Sequence, residues 1–188
     1  MYESYRALDI DVKDLFSSPS KKRTIEKYAA ITEMFWKIDA TQSREFQKNF
    51  NGFYRVRRNQ AWQEVYYAIM ERGKSCPLPF ERVLREIYNK TGMVEASFAS
   101  KLLHTLNPDM PIWDQFVLKH LNIKVPVCKG EKKIKTVARL YGEIVAWYQS
   151  ALNMVIGKIK IEEFDKTFPE YAWISSTKKI DFLLWQTR

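Results

Sequence analysis

A long helical pattern over residues 131–150 constrains the fold of this chain more than any other segment. Its apolar side chains recur every three or four residues, the spacing that places them on one face of an α-helix. They are Ile134, Val137, Ala138, Tyr141, Ile144, Val145 and Tyr148. The opposite face is basic, with Lys132, Lys133, Lys135 and Arg139. The segment therefore predicts one amphipathic helix of about five turns.

Shorter apolar stripes with the same spacing lie upstream of this helix. They occur within residues 25–38, 46–53, 62–69, 80–88 and 98–106. Glycine and proline in the run 73–79 end the third stripe, because proline cannot continue a helix. Residues 154–161 resemble a short β-strand, and an aromatic loop and a terminal amphipathic piece follow. The sequence thus predicts an essentially all-α protein without internal repeats.

Chain length and composition bound the domain organisation and the compartment. The 188 residues can fold as a single compact helical unit over 1–188, or as two small lobes around a cleft. The sequence has no run of about 18 apolar residues, the length that predicts a membrane span. Its first residues lack the basic and apolar segments of a leader peptide. Cys76 and Cys128 are too isolated for a disulfide framework or a zinc site. We therefore expect a cytoplasmic protein.

The charge balance favours an anionic partner. Lysine and arginine number 31 against 22 aspartates and glutamates, which gives a formal net charge of +9. Such a surplus attracts nucleic acid, although charge alone does not identify the polyanion. A basic protein without a nucleic-acid function is the alternative.

The segment from Gly92 to Asp114 carries the functional signal. Gly92 follows a helical stripe at the position of a left-handed C-cap, so the chain can turn sharply into the next helix. Pro111 forces a turn further on, which places Asp114 at the start of another helix. An aspartate there accepts hydrogen bonds from free backbone N–H groups, so helix capping is its simplest explanation. The other explanation is a catalytic carboxylate.

The same segment resembles the helix-hairpin-helix glycosylase superfamily of base-excision DNA repair, which includes endonuclease III and the mismatch adenine glycosylases. The resemblance is carried by YNKTGMVEASFASKLLHTL, as helix, hairpin and helix, and by PIWDQFV, which is similar to the segment that holds the family's aspartate. It covers roughly residues 79–122, and Gly92 and Asp114 are 22 positions apart, an interval similar to the family's. It implies an all-α fold with a helix-hairpin-helix element, and DNA as the partner.

The resemblance also implies roles for individual residues. Asp114 corresponds to the carboxylate that stabilises an oxocarbenium-like state while an N-glycosidic bond is hydrolysed. Backbone N–H groups of Gly92, Met93, Val94 and Glu95 correspond to the hairpin that contacts DNA phosphates, although Val94 replaces the family's second glycine. Whether such a hairpin binds a monovalent cation here stays open.

Departures from the family pattern narrow the expected activity. Ala96 stands where bifunctional members have a Schiff-base lysine, so the resemblance implies a monofunctional hydrolase that leaves the strand intact. Two distant cysteines cannot hold the iron-sulfur cluster of many relatives, and no cofactor is expected. His104 and His120 have no second ligand at metal-binding spacing, so no metal site is expected either.

Further candidate residues have competing explanations. Lys101, Arg55, Arg57 and Arg58 are candidate phosphate contacts, and Lys101 points away from the family's nucleophile, toward solvent or phosphate. Trp113 and His104 are candidate pocket residues, but a core position for Trp113 and a core-edge position for His104 are the simpler explanations.

Two other functions remain open for the whole chain. One is a non-catalytic nucleic-acid-binding module of the same fold. The other is a helical protein-interaction domain in which Asp114 is only a helix cap.

Overall fold

The structure, a computed structural model, describes Tyr5 and residues 8–187, and in this part of the chain there are ten α-helices and no β-strand. The helices are α1 Val12–Leu15, α2 Pro19–Phe35, α3 Arg44–Tyr54, α4 Gln60–Gly73, α5 Phe80–Thr91, α6 Ala96–Leu106, α7 Gln115–His120, α8 Gly130–Asn153, α9 Val155–Thr167 and α10 Ser176–Gln186. A 3₁₀ turn, Pro169–Tyr171, lies between α9 and α10. The predicted all-α class is confirmed. The expectation of one unit over 1–188 extends to residues 1–4, 6, 7 and 188, which lie outside the described residues.

The predicted β-like run at 154–161 is wrong, because residues 155–161 belong to α9 and Met154 is its N-cap. Only Met154 separates α9 from α8, so the chain turns abruptly between two helices. A Cβ atom at Gly157 would collide with the backbone oxygen of Ala151, so this close approach requires glycine. Packing of α9 against α1, α8 and α10 outweighs the β-propensity of its branched side chains.

The hydrophobic core joins the two ends of the described chain. Phe16, at the end of α1, makes edge-to-face contacts with Phe164 and Phe182, with ring centres 6.1 and 6.4 Å apart. Buried apolar residues from the first helix to the last belong to one continuous cluster. Helix α10 is therefore held inside the fold, against α7, α8 and α9.

The turn between α5 and α6 has the geometry that the sequence predicts. Gly92 ends α5 with a left-handed φ of 71°, and its N–H donates to the Tyr88 carbonyl over 2.8 Å. Residues 92–95 then lead directly into α6, which packs against α5. A residue with a side chain would be strained at this φ, so glycine is favoured at the sharp turn.

The loop at 107–113 fixes the start of α7. The Trp113 N–H donates to Ser100 Oγ over 2.8 Å, which ties the loop to α6. The Tyr141 hydroxyl donates to the Pro111 carbonyl over 2.8 Å, which ties it to α8. These buried hydrogen bonds hold the backbone that immediately precedes Asp114.

Candidate active site

Asp114 caps α7 and also lines a cavity. Its backbone is extended, and Oδ1 accepts a 2.8 Å hydrogen bond from the Phe116 N–H. The predicted N-cap is therefore confirmed. The side chain is half-buried in the wall of a cavity of about 270 Å³. Oδ2 has no hydrogen-bond partner among the residues that the structure describes, so one carboxylate oxygen remains available to a ligand.

The cavity lies where four helices meet. The end of α3, the middle of α6, the start of α7 and the inner face of α10 contribute its walls. Its lining residues combine aromatic rings with charged groups: Phe53, Tyr54, Arg55, Lys101, Ile112, Asp114, Gln115, Phe116, Lys178, Asp181 and Trp185. Such a mixture of apolar walls and a few polar groups is typical of small-molecule sites.

Lys101 belongs to the cavity wall and not to the outer surface that the sequence suggested. Its Nζ donates to the Tyr54 carbonyl over 3.2 Å and lies 5.2 Å from the centre of the Phe98 ring. Burial lowers the pKa of Lys101, and the negative charge of Asp114 opposes this shift. The sequence did not indicate that this amine and the candidate carboxylate share one cavity.

Burial also acts on the carboxylate. It raises the pKa of Asp114 above the ordinary value of 3.8, while the hydrogen bond from the Phe116 N–H and the charge of Lys101 act in the opposite direction. Carboxyl groups with a shifted pKa are common at catalytic sites, because burial and neighbouring charges there adjust the pKa to the reaction.

A buried ion pair forms another part of the cavity lining. Lys178 Nζ lies 2.6 Å from Asp181 Oδ2, and the two residues are only 1% and 4% exposed. The Tyr148 hydroxyl donates to Asp181 Oδ1 over 3.3 Å. The Lys178 ammonium also lies 4.8 Å from the Tyr28 ring centre.

Sequence analysis missed this pair. Lys178 and Asp181 are three positions apart in the terminal amphipathic piece, where charges ordinarily face solvent. Their only sequence signal is the apolar run 182–185 that follows Asp181. Burial on both sides of α10 comes from packing with distant helices, which spacing along one segment does not reveal.

His104 and Trp113 lie beside the cavity and not in its lining. His104 is fully buried, and its Nδ1 lies 2.7 Å from the Met110 carbonyl, which can only accept. Nε2 therefore accepts from the Tyr28 hydroxyl, 3.0 Å away. Burial, assisted by the charge of Lys178, lowers the pKa of His104 to about 4. The neutral ring thus anchors the loop that leads to Asp114, and Trp113, 5% exposed, packs in the core.

The turn after α5 presents two of its four candidate residues to solvent. Gly92 and Met93 are exposed, whereas Val94 and Glu95 are half-buried. Glu95 forms an ion pair with Arg58, so the positive charge of Arg58 is largely compensated next to the turn.

Two other arginines near the turn are free for a polyanion. Arg55 and Arg57 are exposed and form no ion pair among the described residues. Arg55 also lines the Asp114 cavity. A second surface groove contains Arg57, Arg58, Lys90 and Met93 and thus runs beside the turn. Basic residues therefore line both the groove beside the turn and the cavity.

The residues that the structure describes contain no cluster of His, Cys, Asp and Glu suited to a metal ion. None of their helices is both long and apolar enough to cross a membrane. Comparisons with protein-family models, curated proteins and solved structures gave no match.

Proposed function

We propose that this protein binds DNA and acts as a monofunctional DNA glycosylase, with Asp114 as the catalytic carboxylate. The observation that carries this proposal is the geometry of Asp114. Oδ1 is fixed by the α7 backbone, and Oδ2 forms no hydrogen bond with any residue that the structure describes. The side chain lines a cavity that has charged and aromatic walls. The resemblance of the segment around residues 79–122 to the glycosylase superfamily points to the same reaction.

The cavity suits a single extruded nucleotide. Its volume of about 270 Å³ lies below the roughly 300–1,000 Å³ of pockets for drug-sized ligands. Enzymes that act on a base in duplex DNA commonly flip the nucleotide into such a pocket and hold the base between aromatic side chains. Phe116 and Trp185 supply aromatic walls close to the carboxylate.

In the proposed reaction, the bond between C1′ and the base nitrogen breaks, and its electron pair leaves with the base. The positive charge that develops on C1′ and the ring oxygen is stabilised by the Asp114 carboxylate. Water then adds to C1′, and the proton that it loses passes through solvent to the departed base anion, which leaves an abasic sugar in an unbroken strand. The rigid cap of α7 helps here, because a carboxylate that is already oriented need not reorganise when charge develops.

The DNA backbone would follow the basic surface beside the turn. The first N–H groups of α6, which no side chain caps, offer donors to a phosphate, whereas the Gly92 N–H is already bonded to the Tyr88 carbonyl. Arg57 and Lys90 add positive charge in the adjacent groove. If Arg57 contacts a phosphate, Arg57→Gln weakens duplex binding for all sequences and reduces the slope of log K against log salt by about 1. Lys158→Gln, an exposed substitution on α9, is the matched control and leaves the slope unchanged.

The catalytic proposal is tested by base release from duplexes that carry uracil, hypoxanthine, alkylated or oxidised bases. Wild type is compared with Asp114→Asn and with Asp109→Asn, which changes an exposed aspartate on the loop just before it. We expect release by wild type and Asp109→Asn, and loss of release in Asp114→Asn. Failure of wild type to release any base from this panel would overturn the proposal.

A non-catalytic nucleic-acid-binding module is the second candidate function. The ion pair of Glu95 with Arg58 and the presence of Val94 at the turn favour it, because both weaken the contact expected between a hairpin and phosphate. This candidate predicts salt-dependent duplex binding without base release. A salt-independent or absent interaction would leave a helical interaction domain, in which Asp114 serves only as the α7 cap.

A further inference from the structure

We propose that the Asp114 cavity selects bases that are uncharged in DNA and depart as anions, with Lys101 as the specificity-determining residue. The substrates would be oxo-substituted bases such as uracil, hypoxanthine, xanthine and 8-oxoguanine. Bases that carry a positive charge after N-alkylation, such as 7-methylguanine and 3-methyladenine, would be rejected. This inference rests on the proposed glycosylase function and narrows its substrate class.

The cavity is lined by more positive than negative side chains. Arg55, Lys101 and Lys178 face two carboxylates, Asp114 and Asp181. The buried Lys178 is paired with Asp181 at 2.6 Å, and Arg55 is exposed to solvent. Lys101 takes part in none of the ion pairs that the described residues form. Its ammonium is therefore the half-buried positive charge that a ligand would meet without a bound counter-ion.

Lys101 has N–H donors that the residues described by the structure do not use. An ammonium has three N–H donors, and the structure gives Nζ one acceptor, the Tyr54 carbonyl at 3.2 Å. The remaining donors are available to an acceptor in the cavity. A hydrogen bond from a charged donor is roughly twice as strong as a neutral one, so Lys101 favours a ligand atom that is negative or becomes negative.

The charge on the leaving base differs between the two classes of base. When the glycosidic bond of a neutral base breaks, its electron pair leaves the base with a negative charge. Oxo groups spread that charge onto oxygen, where the Lys101 ammonium can stabilise it. A cationic alkylated base leaves as a neutral molecule and gains nothing from the ammonium. Before the bond breaks, its positive charge is repelled by Lys101, and a partly buried site strengthens that repulsion.

The aromatic faces near the cavity support the same selection. Cationic ligands are commonly held over electron-rich rings. Two rings of the cavity lining already carry the protein's own cations, because Lys101 Nζ lies 5.9 Å from the Tyr54 ring centre and Lys178 Nζ lies 5.8 Å from that of Phe53. A cationic base would compete with two fixed ammonium groups for these faces.

The test is single-turnover base release from one duplex sequence carrying each of the six bases named above, corrected for spontaneous loss. The proteins are wild type, Lys101→Met, Lys101→Arg and the control Lys158→Met, an exposed lysine on α9. Wild type should release at least one oxo base about 10²-fold faster than either alkylated base. Lys101→Met should slow that release by about 10²-fold, as removal of a donor to developing negative charge does, while alkylated bases lose no rate. Lys101→Arg should restore part of the loss, and Lys158→Met should match wild type.

Three results would count against the inference, and they differ in what else they remove. Preferential release of the alkylated bases by wild type, dependent on Asp114, overturns the inference and leaves the proposed function standing. An equal loss on both base classes in Lys101→Met overturns the role of Lys101 in selection. If that variant does not fold, the wild-type ratio between the two classes decides. No release of any base by wild type overturns the proposed function and the inference with it.

Discussion

Asp114→Asn should separate the two roles of this residue, because it removes the charge and keeps the cap. The amide oxygen of asparagine can accept the Phe116 N–H as Oδ1 does now, and Asn and Asp are similarly good N-caps. Burial raises the pKa of Asp114, so the folded state disfavours its ionised form. Removing the charge should therefore cost no stability at pH 7, while base release falls about 10²–10⁴-fold because charge stabilisation at C1′ is lost.

The pH dependence of stability gives an independent check. In wild type, the contribution of Asp114 to the free energy of unfolding is fully favourable below pH 3.8, its ordinary pKa. This contribution is lost as the pH rises through the higher pKa of the folded state. Above that range it is constant and unfavourable. Asp114→Asn lacks this step, so its free energy of unfolding relative to wild type should increase between pH 3 and neutrality and then level off.

Two further substitutions complete the series. Asp114→Ala removes cap and charge together, and it should lower the free energy of unfolding by about 0.5–2 kcal/mol in urea titrations. Asp114→Glu keeps the charge but moves it by one methylene group, and displacement of about 1 Å from a working geometry can cost about 10²-fold in rate. The catalytic reasoning is refuted if Asp114→Asn retains wild-type release. It is replaced by the capping explanation if Asp114→Ala changes only stability.

Three other substitutions test the parts that surround the site. Asp181→Ala leaves the Lys178 ammonium buried without its partner, so urea unfolding should show a loss of about 3–5 kcal/mol, and a loss below 1 kcal/mol would contradict a tightly buried pair. His104 is neutral in the fold with a pKa of about 4. The neutral ring contributes fully to the free energy of unfolding above pH 6.5, the ordinary pKa of histidine. This contribution should fall by about 3 kcal/mol as the pH drops to 4, because only the unfolded state takes up a proton readily. His104→Gln should lack this pH dependence in urea titrations. Gly92→Ala places a side chain at a φ of 71° and should cost about 1 kcal/mol, measured by thermal unfolding, with weaker duplex binding in parallel; an unchanged melting temperature would mean that the turn relaxes.

Sequence patterns predicted those elements whose signals are local. The apolar stripe of α8, the left-handed Gly92 and the cap at Asp114 each depend on residues a few positions apart, and each is confirmed. Helix α9 was missed because its β-branched residues favour a strand locally, and its packing against three helices decides otherwise.

The cavity could not be predicted, because it has no local pattern. Lys101 and Lys178 come from helices far apart in the chain, and each resembles a solvated lysine in its own segment. The packing of α10 against α7 and other helices brings Lys178 and Asp181 to the same cavity as Asp114. The position of Asp114 was predictable and its chemical surroundings were not.

Capping by Asp114 and its proposed catalytic role depend on the same geometry. The hydrogen bond from the Phe116 N–H fixes Oδ1, and the loop before α7 is fixed in turn by the neutral His104 ring through the Met110 carbonyl. A carboxylate held in this way keeps one oxygen directed by the backbone and the other free of hydrogen bonds from the described residues. Preorganised charge of this kind is what stabilises a developing oxocarbenium ion, since nothing has to move when the bond breaks. The cap that explains Asp114 most simply is thus also what would make it effective as a catalyst.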